Sequence, residues 1–267
     1  MRKLLAITGL ALTPLMAAQA QAALNLTAKA NYWNASPSGY IQGDSNQEKL
    51  DLKDELGLSS EGQTNLSLQF DHFVPLIPNL RLTQTSMDFS GSRTEQFTFM
   101  GENFDGETNS NIDLSHTDFT AYYRFLDGLT SLIPLVSLRL EVGLTARVFD
   151  GGFEVEGQVD DGQGGKVTET ESVDLSVPLP MGYLGGRVSL PMGLSVGAQV
   201  NTISYDGSGV TDYQADVSYE YRGLPLVTPG VTAGYREFSM TLDDLDDAYG
   251  DLTIDGPYFG AYLKAGF

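Results

Sequence analysis

The chain has 267 residues, 15 basic side chains against 35 acidic ones, no cysteine and a formal net charge of −20. So large a negative excess repels phosphate backbones, which leaves no nucleic acid among the partners. Without cysteine there are no disulfides and no thiolate metal centre, so packing and hydrogen bonds must hold the fold.

The N-terminus reads MRKLLAITGLALTPLMAAQAQA, with Arg2 and Lys3, an apolar stretch from Leu4 to Met16, and the small-residue exit Ala20-Gln21-Ala22. This order predicts a secretory signal peptide over 1–22, too short to span a bilayer as a mature helix. Its loss takes the net charge from −20 to −22, because it carries two cations and no acid. No composition break divides the remainder, and 23–267 is read as one β-barrel domain.

Past the leader, apolar residues recur at every second position, the period of a strand with one greasy face. The ranges are 24–34, 64–74, 79–90, 112–126, 135–149, 173–190, 193–206, 210–222, 229–241 and 251–267. The longest of these repeats run for about nine residues or more, which suits a tilted membrane-crossing strand better than a soluble sandwich. Ten strands can close a sheet without an edge, as lipid requires; eight is the alternative count. Turns containing Pro78, Pro134, Pro191 and Pro229 punctuate one end. The segments at the other end, 35–62, 91–111, 150–172 and 243–250, are longer, polar and acidic, and are read as loops. Only Asp206-Gly207-Ser208-Gly209 has the composition of a tight hairpin. Trp33, Tyr32, Tyr122, Tyr123, Phe125, Tyr219 and Tyr221 fall near strand ends, where interfacial girdles sit.

The face opposite the greasy one carries the candidate lumen-facing charges Arg139, Glu141, Arg147, Arg187, Asp216, Glu220, Arg236 and Lys264, with Arg81, Arg124, Asp212 and Arg222 beside them. Inside a narrow barrel these must pair across the interior, either plugging it or ringing a polar channel. His116 shares strand parity with Asp118, but Ser115 points the other way, so no nucleophilic triad forms on a regular strand. No catalytic, metal or cofactor residues are assigned, and no cofactor is expected. Asp243, Asp244, Asp246, Asp247 and Asp251 form an acidic run without EF-hand spacing, read as a solvated loop. Glu48–Leu58 reads as a short amphipathic helix with Gly57 as its C-cap.

The signal peptide, the alternating strands and a last strand ending in Phe267, with Phe259 and Leu263 on its face, resemble Gram-negative outer-membrane β-barrel proteins. LIPNLRL (76–82) and LDDLDDAYGDLTIDGPYFG (242–260) resemble a family of small outer-membrane barrels of unassigned function. The resemblance implies an all-β, antiparallel up-and-down transmembrane barrel in the cell outer membrane, with both termini periplasmic. It further implies contact with outer-membrane lipids and lipopolysaccharide, and Phe267 as an assembly signal read by the barrel assembly machinery. The function expected is structural, or a narrow passive channel for small solutes, and not enzymatic. The alternatives are a soluble periplasmic barrel that binds an apolar ligand inside, and an enzyme that modifies lipid.

Overall fold

The computed structural model describes residues 24–42, 48–99, 102–126, 136–160, 165–175, 178–245 and 248–266. The signal peptide, Phe267 and Pro134 lie outside them. Ten strands form the barrel: β1 (Leu24–Gln42), β3 (Glu61–His72), β4 (Asn79–Thr85), β7 (His116–Phe125), β8 (Ser137–Phe149), β11 (Pro178–Ser189), β12 (Leu194–Tyr205), β13 (Ser208–Glu220), β14 (Val227–Leu245) and β15 (Ala248–Gly266). Each pairs antiparallel with its neighbour, and β15 returns to β1 from Asn25↔Gly266 to Gln42↔Tyr249, which closes the sheet.

Closure puts the greasy face outside. Leu66, Leu68, Phe119, Leu144, Val217, Val231 and Phe259 are exposed on the outer wall, while the alternate residues of the same strands are buried or half-buried. In water such a wall would be heavily unfavourable, at roughly 25 cal/mol for each Å² of apolar surface left exposed. It also reverses the soluble alternative, which needs the greasy face turned inward around a ligand.

The tight-hairpin signal and the Pro229 turn differ in outcome. Asp206 and Gly207 adopt φ of +47° and +87° between the paired Tyr205 and Ser208, a two-residue turn that needs a left-handed conformation at both centres. Pro229, by contrast, lies inside β14 opposite Leu263; the preceding turn is made by 221–226. Leu76, Leu126, Met192 and Leu226 take φ between +62° and +68° at the short-turn rim, each with an exposed side chain.

Two of the acidic stretches read as loops are sheet instead. β5 (Asp88–Phe99) and β6 (Glu102–Asp113) make one hairpin, and β9 (Gly151–Asp160) and β10 (Lys166–Leu175) make another. β6 pairs with β9, so the two join in a four-stranded sheet, order β10-β9-β6-β5, standing beyond the barrel. β1, β14 and β15 likewise extend through 35–42, 243–245 and 248–250, stretches read as loop. The reason is alternation with a polar outer face: Phe89, Phe104, Ile112, Phe153, Val155 and Val159 all turn inward and are buried.

The amphipathic helix expected over 48–58 is not formed. Leu50–Asp51 is a two-residue strand, β2, paired with Tyr40 and Ile41. Asp51 then caps a turn, its Oδ1 accepting from the backbone N–H groups of Lys53 (2.8 Å) and Asp54 (2.9 Å), an Asx geometry that competes with helix. Gly57, at φ +71°, bends the chain so that Leu50, Leu52, Leu56 and Leu58 all point into the core.

Candidate functional site: the barrel lumen

Inward-facing residues stack in tiers along the barrel axis, because each strand offers one lumen side chain every second residue. On β8 the order away from the short-turn end is Arg139, Glu141, Thr145, Arg147 and Phe149; on β11 it is Arg187, Tyr183 and Met181. The site is therefore described from the long-hairpin end downward.

At the top, Phe149, Met181, Phe238 and Met240 are all 5% exposed or less, and share one apolar cluster with Leu50, Leu52, Leu56 and Leu58 and with the inner face of the four-stranded sheet. Directly below lies a buried charge cluster. Arg147 grips Asp118 with two bonds of 2.7 Å and reaches Asp212 Oδ2, also at 2.7 Å. Arg236 donates to both oxygens of Asp212, Nε to Oδ1 at 2.9 Å and Nη2 to Oδ2 at 2.6 Å. Its guanidinium lies 4.7 Å from the centre of the Trp33 ring, a cation–π contact. Two aspartates and two arginines balance, which is what permits four charges to be withdrawn from water. Arg147 Nη1 is the one guanidinium nitrogen of this cluster that is buried and unpartnered among the described residues.

His116 completes this tier. Its Nδ1 lies 2.8 Å from Leu114 O, and its ring stacks on Phe238 at 6.2 Å and meets Phe149 edge-on at 5.4 Å. Ser115, the nearest hydroxyl in sequence, instead accepts from Met87 N at 3.0 Å. A nucleophile–base pair is therefore not assembled here. Ligand atoms of His116, Asp118 and Asp212 do lie within 4.8 Å of one another, but the arginines already occupy the carboxylates.

The middle tier is a hydrogen-bonded web around Arg81, which donates to Glu141 Oε2 (2.9 Å), Tyr183 OH (2.7 Å) and Gln199 Oε1 (3.1 Å). Tyr183 OH also donates to Glu141 at 2.6 Å, and Thr145 bridges Thr120 and Asn201. Tyr122 and Trp33, both read as girdle residues, belong inside instead. Tyr122 is fully buried with its hydroxyl bonded to Asp71 at 2.5 Å, and Trp33 is 1% exposed. Parity decides this: Tyr32, Tyr123, Phe125, Tyr219 and Tyr221 sit on the outward register and are exposed.

The lowest tier is wetter. Arg187 pairs with Asp216 (2.7 Å), Arg124 with Asp71 (3.2 Å), and Lys264 with Glu220. Side-chain exposure there reaches 30% for Arg187, 33% for Arg139 and 36% for Lys264, against 0% for Arg147. Arg139, Glu141, Arg147, Arg187, Asp216, Glu220, Arg236 and Lys264 are spread over the three tiers. His72 is at the short-turn end, its Nδ1 accepting from Val74 N at 3.2 Å. Of the acidic run, the side chains of Asp244, Asp246 and Asp247 lie outside the described residues. A groove of about 600 Å³ floored by Ala28, Ala30 and Ala261 between Leu66, Leu82 and Leu263 belongs to the outer wall rather than the lumen.

A closed antiparallel barrel with charge inside and a greasy wall outside is folded for lipid, and the closed, even-stranded form is that of an outer-membrane β-barrel protein. No family model and no curated protein matches the chain. Among solved structures it is similar to the outer membrane protease OmpT of Escherichia coli (12% identity, TM-score 0.46, covering 91% of this chain and 97% of that one). It is also similar to a Pseudomonas aeruginosa FadL homologue (10%, 0.33, 92% and 90%) and to Neisserial surface protein A (13%, 0.27, 91% and 97%). At these values no residue role passes between the proteins, and the class rests on this chain's own polarity and topology.

Proposed function

We propose that the chain is a non-conducting, non-enzymatic barrel that anchors a rigid β-sheet platform at the outer surface of the outer membrane, with both termini in the periplasm. One observation carries this reading: the residues that stopper the lumen, Phe149, Met181 and Phe238, belong to the same buried cluster as Phe104, Ile112, Phe153 and Val155 of the four-stranded sheet. Stopper and platform are one packed body, so opening a solute path would mean unpacking the platform and separating the Arg147–Asp118–Asp212–Arg236 cluster beneath it. The reading takes the structural half of the expectation over the channel half. Asymmetry of the ends favours the orientation, since short turns are periplasmic and long hairpins external in such barrels. On this orientation the wall meets membrane lipid, lipopolysaccharide surrounds the long hairpins, and β15 with Phe267 is the strand offered to the assembly machinery. Among the described residues no hydroxyl is hydrogen-bonded to the His116 ring, and Ser115 is held by Met87 N instead, which favours a non-enzymatic role.

Planar-bilayer recording of the refolded protein is the test. Wild type and Arg139→Ala, shown inserted by heat-modifiable gel migration, are expected to give no steady conductance. A stable conductance that Arg139→Ala alters would replace this reading with a channel.

A further inference from the structure

The short-turn rim is apolar at its tips. Leu76 is 91% exposed, Met192 87% and Leu226 80%, and in the turns 73–78, 190–193 and 221–226 the single charged side chain is Arg222. All three tip residues hold a left-handed φ, between +65° and +68°, which glycine adopts without strain and a residue with a Cβ does not. The tight turn at the opposite end gives the same backbone region to Asp206 and Gly207. In water, large apolar side chains gain nothing at such positions; in contact with lipid, burial of the side chain offsets the backbone strain.

The backbone of the β3–β4 turn is also satisfied from within the protein. Pro75 and Pro78 carry no N–H. Val74 N donates to His72 Nδ1 (3.2 Å), which puts the ring proton on Nε2, where it is donated to Pro78 O (3.1 Å). Leu76 O accepts from the Tyr123 hydroxyl (3.0 Å), and Asn79 Oδ1 accepts from His72 N (2.9 Å). Tyr123 stands on the outward register of β7 and is exposed, so its bond to Leu76 runs along the lipid side of the wall. Water would supply such partners to a turn standing in solvent. Hydrocarbon does not, and a carbonyl placed there must find its donor in the protein.

The height of the wall agrees. Glu237 and Asp255 are cross-strand partners on the outward register of β14 and β15. From that pair down to Val227↔Ala265 is ten residues, roughly 25 Å along the axis for tilted strands, which is the height of the apolar band in membrane barrels. The outward residues in between, such as Tyr235, Val231, Phe259 and Leu263, carry no charge. The band therefore runs down to the rim, with no polar stretch of strand between lipid and turn.

We infer that the β3–β4 turn is inserted in the membrane, with Phe73, Val74, Leu76 and Ile77 seated among lipid acyl chains at the short-turn end. Met192 and Leu226 touch the same layer from the neighbouring turns. The inserted tips fix how deep the barrel sits, because raising it would bring Leu76, Met192 and Leu226 into water together. Insertion depends neither on the platform reading nor on which side of the membrane the short turns occupy.

The chain has no cysteine, so a bimane label introduced through Leu76→Cys, and in a second protein through Ile77→Cys, reports on this turn alone in the full protein refolded into phosphatidylcholine vesicles. Leu144→Cys on the outer wall is the lipid reference, and Glu156→Cys, exposed on β9, is the water reference. Labels at 76 and 77 are expected to be quenched by lipid with brominated chains, as at 144. Iodide present on both sides of the membrane should quench them at least fivefold less than at 156. Iodide quenching equal to that at 156, while the label at 144 remains in lipid, overturns the inference. So does protection from both quenchers, which would mean that a second copy of the chain covers the rim.

Discussion

The lumen cluster makes a quantitative demand on Asp212. It accepts from Arg147 once and from Arg236 twice, at 2.6–2.9 Å, with all three residues 3% exposed or less. After Asp212→Ala, Arg147 keeps both its bonds to Asp118, whereas Arg236 retains only Thr85 Oγ1 at 3.4 Å, the His116 ring and the face of Trp33. One buried guanidinium is then uncompensated, a loss of about 3–5 kcal/mol, or roughly 10²- to several 10³-fold in the folding equilibrium. Trp33, the single tryptophan, lies against the perturbed charge and reports on it. Urea titration in lipid vesicles, followed by Trp33 fluorescence and by gel migration, measures the change. Removing both charges in Asp212→Leu with Arg236→Leu leaves the balanced Arg147–Asp118 pair and should recover to within about 1 kcal/mol of wild type. Wild-type stability in Asp212→Ala would refute the reasoning, as would a double variant no better than the single one.

Two further outcomes follow from the same structure. Leu144, 69% exposed on the outer wall, becomes costly as Leu144→Arg, by about 2–4 kcal/mol if it lies near the bilayer midplane, read by the same urea titration; an unchanged midpoint would place β8 outside the lipid. Phe104→Ala removes a fully buried ring from the platform and should destabilise locally by about 3–5 kcal/mol. Hydrogen exchange should then rise in β5, β6, β9 and β10 and at the stopper ends of β8, β11 and β14 that pack on them, while the short-turn halves of the barrel strands stay protected; a rise confined to the platform would show that stopper and platform are not one packed body.

Much of this fold was legible as period two. Each of the ten barrel strands overlaps a range that alternation marked, because a lipid-facing wall imposes the same pattern on every strand, but 88–90, 112–113 and 173–175, read as barrel, belong to β5, β6 and β10 of the platform. Parity also held the information for Trp33: counting from Leu24, Leu26 and Ala28 on the outer register puts Trp33 inside and Tyr32 outside. The girdle rule overrode that count. In the platform, glycines and acids diluted the signal, although Phe153, Val155 and Val159 keep strand parity among glutamates. At 50–58, Leu52 and Leu56 gave helical spacing while Leu50 and Leu52 gave strand spacing, and Asp51 settled the competition by capping the turn. The left-handed leucines of the rim left no sequence mark. For the lumen, each charge's side of the sheet could be read from parity but its partner could not: Asp118 stands opposite Arg147 once β7 and β8 pair, whereas Asp212 on β13 meets Arg147 only across the closed barrel.

That separation bears on how the barrel assembles. Backbone pairing is mostly between neighbours in sequence, so hairpins can form one at a time. Some lumen contacts are not: Arg81 on β4 reaches Glu141 on β8, Tyr183 on β11 and Gln199 on β12, while Arg147 on β8 reaches Asp212 on β13 and Arg236 on β14 reaches Thr85 on β4. None of these contacts can form until the strands that carry them face one another across a closing sheet. Until then each charge must stay hydrated, because an unpaired charge in hydrocarbon is prohibitive. Closure of β15 on β1 therefore coincides with dehydration of the lumen and packing of the apolar stopper. The charge pairs select the correctly registered barrel more than they add to its stability: a one-residue slip would turn Arg147, Asp212 and Arg236 out to lipid and the greasy wall into the lumen.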